Sequence, residues 1–422
     1  MDFENNQRPL SSPPTEEGGA HFQFVPVAGS TKLIILFSGS SVPPRSFHFW
    51  KVGMELDASR LYVNNGKNEW YQNGVPGLGS DLPTTIMNIK LWARHLGATE
   101  IYTVGQSMGG HGAILFGSLL GARVLAFGAE TTIRLPASRS ERLLAPDAKT
   151  PFLNIHRFIA QATMPIYSLA GENDPLDLYC MSLAKGLPNY EARSMNFVGH
   201  GPGGYLRNRE RLTPMIRRLL NNEPPPPMLE DGFGCEIEGF PEAYYALFVA
   251  HSARDWAKAA EIGVKATSLH PSSDFAQYLT GHAFLQLGQA KSAVGHLAAA
   301  RGLYVNFADY QWALAVCMRD LGRIDLSISL HRRLLRTHPA FAKSHYALSV
   351  MFMANGALKQ ASRHASQAAT LEPTNAKYVE QNKRATQRLA KRKPKDIGKL
   401  PPEKRRIAML YDNAEADVQP VS

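Results

Sequence analysis

A recurrence of 34 residues governs the second half of the chain and leaves few folds open to it. Leu287-Gly288, Leu321-Gly322 and Asn355-Gly356 stand 34 residues apart, and the prolines at 271, 339 and 373 are separated by 68 and 34. Phased on those glycines, units begin at Phe240, Asp274, Ala308 and Ala342. Small residues then share a repeat position (Ala259, Ala293, Ser327, Ala361), and a second column reads Ala266, Ala300, Leu334 and Ala368. Trp256, Ala290, Ile324 and Leu358 fall just after the turn within each unit. A unit this short cannot bury its apolar face alone, so successive units must stack. The phase predicts four helix pairs (240–273, 274–307, 308–341, 342–375) and a polar capping helix over 376–391.

In length and in its Gly, Ala and Pro positions this pattern resembles the tetratricopeptide repeat. Arg254 stands for the turn glycine of the first unit, Val305 for the closing proline of the second, and the family's tryptophan position in the first helix holds polar or small residues. The resemblance implies an all-α solenoid whose concave face takes a protein partner or a second copy. Beyond Arg392 the chain is charged and Pro-containing. Between Lys391 and Met409 eight basic residues oppose two acidic ones, a net +6 of the chain's +10. Composition predicts a solvated, disordered tail over 392–422, and the remainder is too mildly basic to call for a nucleic-acid partner.

Upstream, the pattern changes. Residues 1–20 read as a disordered polar segment, and Pro224 to Pro227 open a Pro-rich linker over 223–239. Between them, residues 21–222 alternate short β-rich runs with helical stretches. The runs are Lys32–Ser38, Arg60–Asn64, Glu100–Gly105, Arg123–Gly128, Pro165–Ala170 and Ala192–Val198, and the clearest helical stretches are Leu82–Leu96 and Met108–Leu120. That alternation predicts an α/β fold, a parallel sheet covered on both faces. With 44% hydrophobic residues the chain has material for such a core. Cys180, Cys235 and Cys317 are too scattered for a disulfide framework or a metal site and read as small hydrophobes. No run of about 18 apolar residues marks a membrane span, and the polar N-terminus lacks the apolar core of a secretory signal, so a cytoplasmic location is expected.

The chemistry concentrates in Gly105-Gln106-Ser107-Met108-Gly109, a G-x-S-x-G between a β-type run and a helical one. A nucleophile elbow needs that strand–turn–helix context, with small residues around a strained serine whose hydroxyl stands above the sheet. A base and an orienting acid should follow in the order acid, then histidine. Glu172, Asp174 and Asp177 follow the run Pro165–Ala170; Asp174 is preferred for its place in the turn before Pro175, with Glu172 second. His200, flanked by Gly199 and Gly201, is the candidate base. The backbone N–H of Met108 and that of Ser40, or of Gly39, are the expected oxyanion donors. His111 reads as packing. Trp70 and Tyr71 are candidates to line a pocket or stack on a sugar ring. No phosphate loop, dinucleotide fingerprint or zinc cluster occurs, and no cofactor or metal is required.

With these residues in view, 21–222 resembles the α/β-hydrolase superfamily, and SMGGHGA after the elbow glutamine is similar to the elbow of esterase-D-type carboxylesterases. The resemblance implies ester hydrolysis through Ser107, Asp174 and His200, with 131–163 as a small cap over the pocket. The substrate would be a small-molecule or glycan ester. Acyl transfer, thioester hydrolysis and a degenerate scaffold remain alternatives on the same residues.

Overall fold

The computed structural model describes residues 18–392 and 394–412. The expected disorder at 1–17 and 413–422 lies outside these. The chain divides into two compact units. One takes in the described residues up to Arg254 together with Ser268–His270, and the other holds Asp255–Thr267 with those from Pro271 onward.

The first unit is a seven-stranded sheet: β1 (Phe22–Val25), β2 (Lys32–Phe37), β3 (Ser59–Val63), β4 (Glu100–Gln106), β5 (Arg123–Phe127), β6 (Ile166–Gly171) and β7 (Tyr190–Met195). Its order is β1-β3-β2-β4-β5-β6-β7, with every pair parallel except β1 against β3. Helices α1 (Trp50–Met54), α2 (Leu82–His95), α3 (Met108–Leu120), α4 (Arg139–Leu143), α5 (His156–Ala160), α6 (Pro175–Ala184), α7 (Pro202–Arg207), α8 (Leu212–Leu220) and α9 (Phe240–Ser252) complete it. The central strands are apolar without alternation because both faces are covered: Leu33 to Phe37 of β2 are all buried. Helix α2 starts at Asp81, whose carboxylate accepts from Thr84 N, with Pro83 in its first turn. Register aligns Phe37 with Gly105, Gln106 with Phe127, and Gly171 with Met195. The loops after β2, β4, β5, β6 and β7 therefore all leave from one rim, where sheets of this type place their chemistry.

Three expectations change here. The Pro-rich segment is no free linker: Arg193 Nη1 donates to Pro225 O and Pro226 O at 3.0 and 2.8 Å, Asn196 N to Glu230 O, and Gly232 N to Ser194 O. It runs along β7 and covers an otherwise open sheet edge. Helix α9, read as the start of the first repeat, belongs to the α/β unit. Tyr244 Oη donates to Glu172 O at 3.0 Å, and the Tyr245 ring stacks on Tyr179 at 4.5 Å. The third change concerns the tail.

The second unit is a tetratricopeptide-like helical repeat. Its helices are α10 (Trp256–Leu269, whose last two residues fall in the first unit), α11 (Asp274–Gln286), α12 (Ala290–Leu303), α13 (Ala308–Asp320), α14 (Ile324–Thr337), α15 (Ala342–Ala354), α16 (Leu358–Leu371), α17 (Ala376–Ala390) and α18 (Pro402–Asp412). Gly288, Gly322 and Gly356 close first helices at φ 71°, 75° and 79°, a region glycine enters without strain, and Arg254 holds the same conformation at 60°. Ala259, Ala293, Ser327 and Ala361 are fully buried at the shared repeat position. Helix α18 replaces part of the expected disordered tail. Ile407 and Ala408 are buried, Tyr411 packs on Phe352 at 5.1 Å, and the Asp412 carboxylate accepts from Lys359 N and Gln360 N. Two of the tail's basic residues are paired, Arg392 with Asp412 and Arg406 with Asp325. Among the described residues no helix is long and apolar enough to cross a membrane.

Candidate active site

Ser107 sits between β4 and α3 at φ 60°, ψ −126°, a strained conformation for a residue with a side chain. The surroundings impose it. A Cβ at Gly105 would run into Gly109 O, and one at Gly109 into Phe37 O, so strand and helix backbones meet with no room for methyl groups. Ser107 N donates to Phe127 O at 2.8 Å, which fastens the turn to β5.

His200 lies between β7 and α7. Its Nε2 is 2.8 Å from Ser107 Oγ, and its Nδ1 is 2.7 Å from Asp177 Oδ2. An ionised carboxylate only accepts, so Nδ1 carries the proton and Nε2 turns its lone pair to the serine hydroxyl. Gly128, at the end of β5 with φ 53°, makes space for the pair: a Cβ there would lie 2.6 Å from Asp177 Oδ2 and 3.2 Å from His200 Nδ1.

The acid facing the imidazole is thus Asp177 and neither Asp174 nor Glu172. Pro175 opens α6, which makes Asp174 the N-cap, accepting from Asp177 N at 2.9 Å. Side chains on a helix lean toward its N-terminus, so Asp177, one turn in, points back to the sheet rim. Glu172 is occupied elsewhere: its Oε1 accepts from Ser194 Oγ and Gly234 N, each at 2.6 Å, and His270 approaches its other oxygen at 3.7 Å.

Arg139 also reaches the site, from a position that carries no sequence signature. Its guanidinium donates to Asp177 Oδ1 at 3.0 Å and pairs with Asp174. The backbone N–H groups of Arg139 and Ser140 donate to the buried Glu130 carboxylate at 3.1 and 3.2 Å, anchoring the start of α4. Arg139 lies 35 and 38 residues from its acidic partners, and no local pattern announces such a pairing. Segment 131–163, expected to cap the pocket, carries Arg139 to the site. Burial opposes charge on His200 most strongly, but the charge and hydrogen bond of Asp177, with the Asp174 charge, together lift the imidazole above its ordinary 6.5, while Arg139 pulls the other way. Burial likewise opposes ionisation of Asp177, and His200 and Arg139 overcome it and hold the carboxyl below its usual range.

Among the described residues, Asp174, Asp177 and His200 form the group spaced to hold a metal ion. Their polar atoms are already engaged by Arg139 and Ser107, a donor set that suits proton transfer better than a cation.

Of the oxyanion donors expected, Met108 N is at the first position of α3, beyond the reach of intrahelical bonding. The Gly39 amide is taken: it donates to His48 Nδ1 at 3.1 Å. The Ser41 amide donates to Asn68 Oδ1 at 2.7 Å, and between these two the Ser40 amide has no hydrogen-bond partner among the described residues. Trp70 and Tyr71 do not line a pocket. They are 1% and 0% exposed, and Tyr71 packs on Phe37 and donates to Ser38 O at 2.7 Å, so the sugar-stacking reading fails on burial. His111, also 0% exposed, has Nδ1 2.6 Å from Glu130 O, and burial lowers it to about 4, which keeps it neutral.

No protein-family model matches the sequence, and no curated protein matches it. Solved structures similar to part of the chain include YrrB, a TPR protein with an unusual peptide-binding site. It is 17% identical, covers 43% of this chain and 88% of its own, and has a TM-score of 0.33. A thermophilic TPR protein of Thermus thermophilus (16%, 44% and 95%, 0.31) is similar as well. So is PilW, a type IV pilus biogenesis factor (15%, 50% and 86%, 0.33).

Proposed function

We propose that the α/β unit is a serine hydrolase of α/β-hydrolase type acting on a carboxylic ester, with Ser107 as nucleophile, His200 as base and Asp177 as the orienting acid. The observation that carries this reading is the imidazole of His200 held between Ser107 Oγ at 2.8 Å and Asp177 Oδ2 at 2.7 Å. Ser107 Oγ would bond to the ester carbonyl carbon while His200 Nε2 takes its proton. The oxyanion would accept from the Met108 and Ser40 amides. Collapse would expel the alcohol, protonated by His200, and water activated by the same nitrogen would release the acid and restore Ser107. The same groups support transfer to an alcohol in place of water. The helical repeat is assigned a separate role, holding a protein partner or a second copy on its extended concave surface.

The test is turnover of a panel of para-nitrophenyl esters by the purified full chain. Ser107→Ala is expected to lower kcat by about 10³ to 10⁶-fold with the fold intact by circular dichroism. Retained turnover in that variant removes the assignment. Product partitioning with added alcohols separates hydrolysis from acyl transfer.

A further inference from the structure

A cleft of about 530 Å³ lies on the His48 side of the elbow, large enough for a small ligand. Its floor includes Gln106, the residue before Ser107, with Gly203 and Gly204, which follow His200 by three and four positions. Gln106 Oε1 accepts from Gly204 N at 3.2 Å and ties the two halves of the floor together. Aromatic Phe47, Phe49 and Trp50 form one wall, and Lys51 and Arg207 bring two positive charges.

The lining contains no carboxylate, and among the described residues neither Lys51 nor Arg207 is in an ion pair. His48 adds a donor. Its Nδ1 accepts the Gly39 N–H, so the ring is neutral with its proton on Nε2. Burial and the nearby Arg207 charge both hold the ring in that state. The wall is also held in place. Ser41, Arg45 and Phe49 all adopt positive φ (59°, 62°, 62°), and the loop carrying them is pinned by Asn64 Nδ2 to Val42 O and Pro43 O, both at 3.0 Å. Such strain persists where surrounding structure enforces it, and it clusters at ligand sites.

We propose that this cleft is the specificity subsite of the serine site, and that it selects esters carrying a second group that is anionic, a carboxylate or a phosphate. The inference rests on the hydrolase reading. Lys51 and Arg207 stand exposed at the rim of the cleft with no carboxylate in the lining to offset them, so an anionic group gains from both charges, more so at low salt, while a neutral chain gains nothing from them.

Paired esters test it on the full chain. Mono-para-nitrophenyl adipate is compared with para-nitrophenyl heptanoate, and meta-acetoxybenzoate with its methyl ester, placing the anion on the acyl side and then on the alcohol side. A phosphonate-ended acyl analogue distinguishes carboxylate from phosphate recognition. At low salt, kcat/KM for the anionic member of at least one pair should exceed that of the neutral member by about tenfold or more. Arg207→Glu should bring that ratio to about one or below, while Lys90→Glu, the same charge change on an exposed helix, should leave it standing. No preference in either pair, or a preference that survives Arg207→Glu, overturns the proposal. If no ester turns over at all, the hydrolase reading fails separately. The cleft is then judged by calorimetric titration of Ser107→Ala with the adipate and heptanoate esters, where equal binding overturns it and tighter adipate binding lost in Arg207→Glu upholds it.

Discussion

Asp174 and Asp177 lie three residues apart, and that single helical turn decides which carboxylate meets the imidazole. Both are visible in the sequence as candidates; what hides the answer is that Pro175 begins a helix at once, making the first acid a cap and turning the second toward His200. Asp177→Asn should therefore lower kcat by about 10⁴-fold, because the amide no longer fixes the imidazole tautomer. Asp174→Asn, which keeps a capping oxygen, should stay within about tenfold of the parent. Steady-state kinetics on both variants decides between them, and the reverse order of severity would reinstate Asp174. Arg139 supplies a pH prediction. The Asp177 charge raises His200 and the guanidinium lowers it, so removing the guanidinium raises the imidazole further. The base works only when neutral, so the acid limb of kcat/KM in Arg139→Gln should move to higher pH. An unmoved limb would mean that Arg139 only braces the loop.

At the scale of elements, legibility follows burial. Helix α3 and the central strands are readable because continuous apolar runs with Gly and Asp punctuation leave little choice. Strand β1, four residues at a sheet edge, gives too short a pattern to register. The polyproline segment and α18 mislead for a shared reason: composition reports what a segment could do alone, and both are held by partners distant in sequence. The period places the beginning of α9 in the repeat, while its tyrosines bind the α/β unit. The account of α18 is testable through Ile407, which is 5% exposed. Ile407→Ala should destabilise the repeat unit by about 2 kcal/mol or more in urea denaturation, the cost of emptying a packed site. In a solvated tail the same change would fall within about 0.5 kcal/mol.

For the molecule as a whole, more than half of the formal charge of +10 lies in a stretch whose composition reads as a solvated tail, yet part of that cluster is spent inside the repeat unit. Arg392 and Arg406 pair with Asp412 and Asp325, and Arg405 donates to Leu400 O at 3.2 Å. What remains for function is an α/β unit carrying the candidate serine site and a helical repeat stacked from pairs of similar length. The period of the repeat is plain in the sequence because the turn glycines and the small buried residues recur every 34 positions. The site is plain only in outline, because its acid, its arginine and its cleft are assembled from five loops on one rim of the sheet. The central claim is that Ser107 is activated by His200, and reaction of the full chain with a fluorophosphonate probe, followed by peptide mass spectrometry, reads it directly. The account predicts one phosphonylated residue, Ser107, with labelling lost in His200→Ala; a folded chain that stays unlabelled, or is labelled at another serine, would contradict it.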